Sequence, residues 1–298
     1  MLKRTTVSLL LSVGASLSAW SQLQPASAQA LLPYTLPLDR ARLQADGESL
    51  ATDAAQLAQF RQFDEALARA QLAAQLLPGN PDVLTLLGSL YLQATDRQPE
   101  QAVATLEQAK TLQPDNAAIA FTLGSAYFMQ QDYSQAVKSI EAGLKIEPEN
   151  PDAMFDLGNA YFKLSQYDKA IAQYEKAVKK ESSFWPAVNN IGLVKYEAGD
   201  TAGAIAQWQR ALDIAAEDQT EPQLAIAVAQ FAQGGQAANS ETAIAALERN
   251  PNYADIEFLQ ENLWGNRLVA DTQQFFNTPA LRELLIQLTP KDVDQTQP

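Results

Sequence analysis

The chain repeats itself every thirty-four residues, and that period constrains the fold more tightly than any single composition value. Leu112-Gln113-Pro114-Asp115-Asn116 returns as Ile146-Glu147-Pro148-Glu149-Asn150, and Leu76-Leu77-Pro78-Gly79-Asn80 is an earlier version of the phrase. Leu123-Gly124, Leu157-Gly158 and Ile191-Gly192 keep the same offset, as do Ala136, Ala170 and Ala204. A unit of this length holds two helices too short to be stable alone, so neighbouring units must stack to bury their apolar faces. Gly88, Gly124, Gly158 and Gly192 on the first helix, with Ala66, Ala102, Ala136, Ala170 and Ala204 on the second, mark a close approach that larger side chains would force apart. The prolines fall after the second helix, where a missing N–H costs least. Tyr91, Tyr127 and Tyr161 are expected to fill the gap to the following unit.

The clearest unit, residues 151–184, carries Leu157-Gly158, Tyr161, Tyr167, Ala170, Tyr174 and Ala177. On these residues the chain resembles the tetratricopeptide-repeat family, with Ser182 standing where the family has its closing proline. The resemblance implies an all-α fold: a right-handed α-solenoid of antiparallel helix pairs with a helical C-terminal cap. Units divide at 47–80, 81–116, 117–150, 151–184 and 185–218, with a degenerate sixth at 219–252. Residues 31–46 read as a linker and leading helix. Thr95 to Glu100 lengthens the turn of the second unit by two residues, an inexpensive insertion. The first unit has Asp53-Ala54 in place of Leu-Gly, a polar replacement that suits a terminal cap. Residues 253–288 read as capping helices, one opened by Pro251-Asn252-Tyr253-Ala254 and one after Gly265-Asn266. A further short helix runs from Pro279 to about Leu288, and 289–298 reads as a disordered tail.

Composition removes most chemistry. With no cysteine and no histidine, the chain has no thiolate nucleophile, disulfide, Cys/His zinc site or imidazole base. No G-x-S-x-G, S-x-x-K, Walker or G-x-G-x-x-G motif occurs, so the expectation is a protein that is not an enzyme and needs no cofactor or metal. A carboxylate-dependent enzyme is the remaining catalytic alternative. A formal charge of −14 argues against nucleic acid, which binds clustered cations. Residues 1–30 have the order of a secretory signal: Lys3 and Arg4, an apolar stretch from Val7 to Trp20, and A-x-A choices ending at Ala28 or Ala30. Cleavage would export the chain to a periplasm or lumen; an uncleaved segment would leave it anchored to a membrane.

In the family, exposed positions of the first helices line a concave groove that binds a protein or peptide. Carried over, these positions are Thr85, Ser89 and Leu92; Phe121, Ser125, Phe128 and Met129; Phe155, Asn159, Phe162 and Lys163; and Asn189, Asn190, Leu193 and Tyr196. Phe121, Phe128, Phe155 and Phe162 would form one apolar strip, of the kind that marks a protein-binding surface, unless individual rings pack on adjacent second helices. Asn159 and Asn190 match asparagines that chaperone-binding members use to hold a peptide carboxylate. Phe155, Thr220 and Leu224 stand where the accompanying cations would be, so the tails of Hsp70 and Hsp90 are not expected partners. Lys176, Lys179 and Lys180, with Lys169, form a solvated convex face or, alternatively, a contact to an anionic membrane. The leading expectation is a non-catalytic scaffold that recruits or assembles a partner. In style it is similar to cyanobacterial tetratricopeptide proteins that assist thylakoid complexes or pigment-synthesis enzymes. Its rival is an envelope protein that self-associates through Trp264, Phe275 and Phe276.

Overall fold

The computed structural model describes residues 39–215, 219–235 and 237–288; the proposed signal at 1–30 and tail at 289–298 lie outside them. Every regular element among the described residues is helical. Six pairs follow one another: α1 (Arg40–Gln59) with α2 (Phe63–Leu76), α3 (Pro81–Gln93) with α4 (Pro99–Leu112), α5 (Ala117–Met129) with α6 (Tyr133–Ile146), α7 (Pro151–Lys163) with α8 (Tyr167–Lys180), α9 (Trp185–Glu197) with α10 (Thr201–Ile214), and α11 (Thr220–Ala232) with α12 (Ala237–Arg249). Each helix rests on the one before and the one after, which makes an α-solenoid. Because α1 begins at Arg40, the leading segment expected before residue 47 merges into the first pair. Residues 251–254 form a 3-10 turn where a longer helix was expected, and α13 (Ile256–Glu261), α14 (Asn266–Phe276) and α15 (Pro279–Leu288) follow.

The repeated Pro-x-Asn phrase works as a helix start. Asn80 accepts from the N–H groups of Asp82 and Val83 at 3.0 and 3.2 Å, Asn116 from Ile119 at 3.3 Å, and Asn150 from Ala153 at 2.9 Å. These bonds satisfy donors that a helix N-terminus leaves orphaned. Five first helices end instead on a left-handed residue: Arg61, Gln131, Ser165, Gly199 and Gly234 have φ between 57° and 93°. The next N–H then reaches back five residues, as Gln166 does to the Tyr161 carbonyl at 2.9 Å, and the chain turns sharply into the second helix. In the second pair the turn carries the insertion, and there Thr95 donates through its N–H and hydroxyl to the Asp64 carboxylate at 2.9 and 2.7 Å. Those two bonds, the hydroxyl's first, hold the Asp64 carboxyl below its ordinary value and tie the second pair to the first.

Close approach within each pair explains the small residues. A Cβ on Gly88 would lie 2.5 Å from Leu106 Cγ and one on Gly158 2.5 Å from Tyr174 Cε1; Ile140 and Trp208 stand in the same way over Gly124 and Gly192. Ala66, Ala102, Ala136, Ala170 and Ala204 are all fully buried. The tyrosines point the other way from expectation. Tyr127 donates to Glu107 at 3.0 Å, Tyr161 to Glu141 at 2.7 Å, and Gln71 to the Tyr91 oxygen at 3.5 Å, each spanning twenty residues backwards. They fill the gap to the preceding pair, because the face of α3, α5 or α7 that carries the ring is the one resting on the second helix before it.

Candidate functional site

Contacts of α1 with α3, α3 with α5 and α5 with α7 put the first helices side by side on the inner wall of the stack. How much of that wall is open depends on α14, which lies against α9 and α11. Gly265 precedes α14 and offers no side-chain cap, so the Glu197 carboxylate at the end of α9 accepts the N–H groups of Arg267 and Leu268 at 3.1 and 3.0 Å. The Arg267 guanidinium donates to the Tyr196 carbonyl at 2.6 Å and to Thr201 Oγ1 at 3.0 Å, and its carbon lies 4.4 Å from the Tyr196 ring centre. Tyr196 donates to Asp271 at 2.6 Å, and burial, followed by Asp271, pushes its phenol pKa upward. Trp264 Nε1 donates to Glu221 at 3.0 Å, and Phe275 stacks on Phe231 at 4.7 Å.

This docking corrects the groove expectation for the fifth unit. Asn189, Asn190, Leu193 and Tyr196 are 1, 6, 1 and 0% exposed, buried within their own chain rather than offered to a partner, with Tyr196 held by Arg267 and Asp271 of α14. The same burial removes the proposed self-association surface, since Trp264, Phe275 and Phe276 are 3, 0 and 7% exposed within their own chain.

Across α3, α5 and α7 the wall stays open. A cavity of about 520 Å³ is lined there by Ser89, Leu92, Phe121, Ser125, Phe128, Met129 and Asn159 among others. The four expected rings do not form one strip. Phe121 and Phe128 share this cavity, Phe121 lying against Gly143 of α6. Phe155 packs instead on Tyr174 and Phe184 at 5.7 and 5.3 Å, and Phe162 is buried against Tyr167 at 5.9 Å. Leu92 too is mostly core, packed with Leu106 and Leu123. Thr85, Ser89 and Ser125 are half-buried and donate their hydroxyl protons to carbonyls of their own helices, at 2.6, 2.8 and 3.3 Å.

At the inner end of the cavity the asparagines do structural work. Asn159 Oδ1 accepts from the Tyr174 hydroxyl at 2.8 Å and from Asn190 Nδ2 at 3.1 Å, and Asn189 donates to Asn190 at 3.2 Å. Trp208 Nε1 donates to the Asn189 carbonyl at 3.2 Å. Asn190 is buried with both amide atoms bonded within the chain, whereas Asn159 uses its oxygen on Tyr174 and Asn190 and lines the cavity. Sequence reasoning passed over Asp156, which lines the cavity one repeat before Asn190. Burial, then the charge of Asp152 one turn earlier, raises its carboxyl from 3.8 to about 6.

A second cleft of about 750 Å³ adjoins the first at Phe128 and Met129 and continues past Phe162 and Lys163 to α13 and the start of α14. Lys163 is exposed there, yet partial loss of water lowers its pKa. On the outer face Lys180 pairs with Glu149, and Lys169 lies 5.1 Å from the Tyr161 ring centre, so that lysine group is partly engaged within the chain. Among the described residues no helix is long and apolar enough to cross a membrane, and no cluster of three or more acidic side chains is placed to hold a metal ion.

Comparison with curated proteins gives no match. Among solved structures, MamA (residues 41 to the end) from Desulfovibrio magneticus RS-1 superposes with a TM-score of 0.51 at 20% identity, covering 59% of this chain and 95% of that one. YrrB, described as a tetratricopeptide protein with an unusual peptide-binding site, superposes with a TM-score of 0.51 at 17% identity, covering 65% and 95%. At these identities the likeness is one of fold. One tetratricopeptide-repeat family model matches residues 121–184 and 155–222, and a second matches 94–145. These matches run from Ala94, before α4, to the first residues of α11, where the close contacts of Gly124, Gly158 and Gly192 recur, and that part of the chain belongs to the tetratricopeptide-repeat family.

Proposed function

We propose that the chain is a non-catalytic scaffold that holds a peptide or helix of a partner protein on the inner wall formed by α3, α5 and α7. The observation that carries this reading is the cavity under Phe121 and Phe128, an apolar depression left open where α14 leaves off. YrrB, which shares the fold, is described as having a peptide-binding site, and the reading is consistent with it. Half-buried aromatic rings on an open groove suit a protein guest better than a small metabolite.

Export after cleavage at Ala28 or Ala30, with a role in assembling or recruiting a membrane, envelope or photosynthetic complex, completes the proposal on the strength of the N-terminal sequence and overall style. The test is capture of partners by the purified chain alongside Phe121→Ala/Phe128→Ala, whose rings are half-buried and whose loss should leave the helical circular dichroism intact. A defined set of proteins held by the parent and released by the variant supports the reading. An identical set on both overturns it. N-terminal sequencing of the chain recovered outside the cytoplasm checks the cleavage.

A further inference from the structure

The second cleft has two walls drawn from distant parts of the chain. One is the row of turns that close the helix pairs, where Arg97 and Lys163 stand exposed; the other is α13, where Glu257 and Glu261 stand exposed. The walls therefore carry opposite charge. Among the described residues none of these four side chains forms an ion pair, although all border one space.

The continuation of this wall already holds a helix. On α14, Leu268, Thr272 and Phe275 are fully buried, while Arg267 and Asp271, one turn apart, meet Tyr196 from either side. Tyr196 occupies the place in its unit that Phe162 and Phe128 occupy in theirs, each thirty-four residues earlier. Phe162 is itself buried, and the row reopens at half-buried Phe128, where the two clefts meet. What the chain has selected to cover its own part of the row is an amphipathic helix with a cation and an anion beside the apolar stripe.

We propose that the open stretch takes a partner's amphipathic helix whose apolar stripe sits on Phe128, with an anionic edge facing Arg97 and Lys163 and a cationic edge facing Glu257 and Glu261. The inference rests on the groove reading above and adds that α13 is a wall of the binding site as well as part of the cap. Walls of opposite sign also fix direction, since a reversed helix would set like charges together.

The probe is a fluorescein-labelled synthetic helical peptide of zero net charge, with a Leu/Phe stripe between one row of Glu and one row of Lys, titrated by anisotropy at low salt. Arg97→Glu/Lys163→Glu makes both walls acidic and Glu257→Lys/Glu261→Lys makes both basic; all four positions are exposed, so folding is preserved. Each swap should weaken binding about fivefold, the scale of two exposed pairs. The combined fourfold variant should return to within about twofold of the parent, because inverted walls accept the peptide in the opposite direction. Phe128→Ala should weaken binding in every background. Swaps without effect, or a combined variant weaker than either alone, overturn the wall assignment while a sensitive Phe128→Ala leaves the groove reading standing. Failure of the probe to bind, or indifference to Phe128→Ala, overturns both.

Discussion

Asp156 gives the sharpest quantitative test of the inner wall. Its carboxyl is raised from 3.8 to about 6 by burial and by Asp152, so the folded chain holds this proton more tightly than the unfolded chain does. Between about pH 4 and about pH 6 the folded state is protonated here while the unfolded state is not, and stability must fall as pH rises through that window. A rise of that size corresponds to about 3 kcal/mol, so at neutral pH the ionised carboxylate costs the fold about 2 to 3 kcal/mol. Asp156→Asn removes the charge while keeping the shape. Urea midpoints of parent and variant, read by circular dichroism across this range, should coincide near pH 4 and separate to about 2 to 3 kcal/mol in favour of the variant near pH 7. Taking the difference cancels every other carboxylate. A difference that does not change with pH would falsify the claim that Asp156 is dehydrated in the cavity.

Phe275→Ala removes a fully buried ring stacked on Phe231 and should cost about 3 to 5 kcal/mol locally. Amide exchange should accelerate in α14 and at the inner faces of α9 and α11 while α3 to α8 stay protected, because a solenoid transmits loss only to neighbours; uniform acceleration would contradict that. Gly158→Ala drives a methyl into the Tyr174 ring and should cost about 1 to 3 kcal/mol, whereas Gly79→Ala, with nothing within 4 Å of its Cβ, should stay within about 0.5 kcal/mol. Thermal unfolding of the two variants separates them, and equal losses of stability would refute the close-approach argument.

The stack was legible because its determinants are local and periodic. A glycine or alanine every thirty-four residues reports a helix contact within one unit, and six helix pairs follow from it. Direction was less legible. Periodicity placed Tyr91, Tyr127 and Tyr161 on a helix face but did not say which neighbour that face meets, and the rings turned out to serve the pair behind them.

The site was legible only in part, for a related reason. An apolar stripe on α14 says that the helix is covered by something, while its partners Tyr196 and Glu197 lie about seventy residues away. A signal did exist on the other side of that contact. In α11 every residue from Leu224 to Ala229 is buried, and a helix apolar around its whole circumference must be covered on its inner face as well as its outer one. Likewise, Asn159 and Asn190 looked like a pair of ligand-gripping amides because the repeat pattern marks Tyr174 as a packing ring without saying that its hydroxyl reaches Asn159, or that Asn190 reaches across to the same oxygen.

By taking the last two first helices for itself, α14 turns an open-ended rail into a ruler. Four first helices, α1, α3, α5 and α7, lie outside its cover, and the open cavity spans the last three of them, a berth of about 20 to 30 Å at about 8 to 10 Å spacing. A helical guest is thereby limited to about 15 to 20 residues and an extended one to about 6 to 9. Longer segments must bend out at Gly265, where α14 starts.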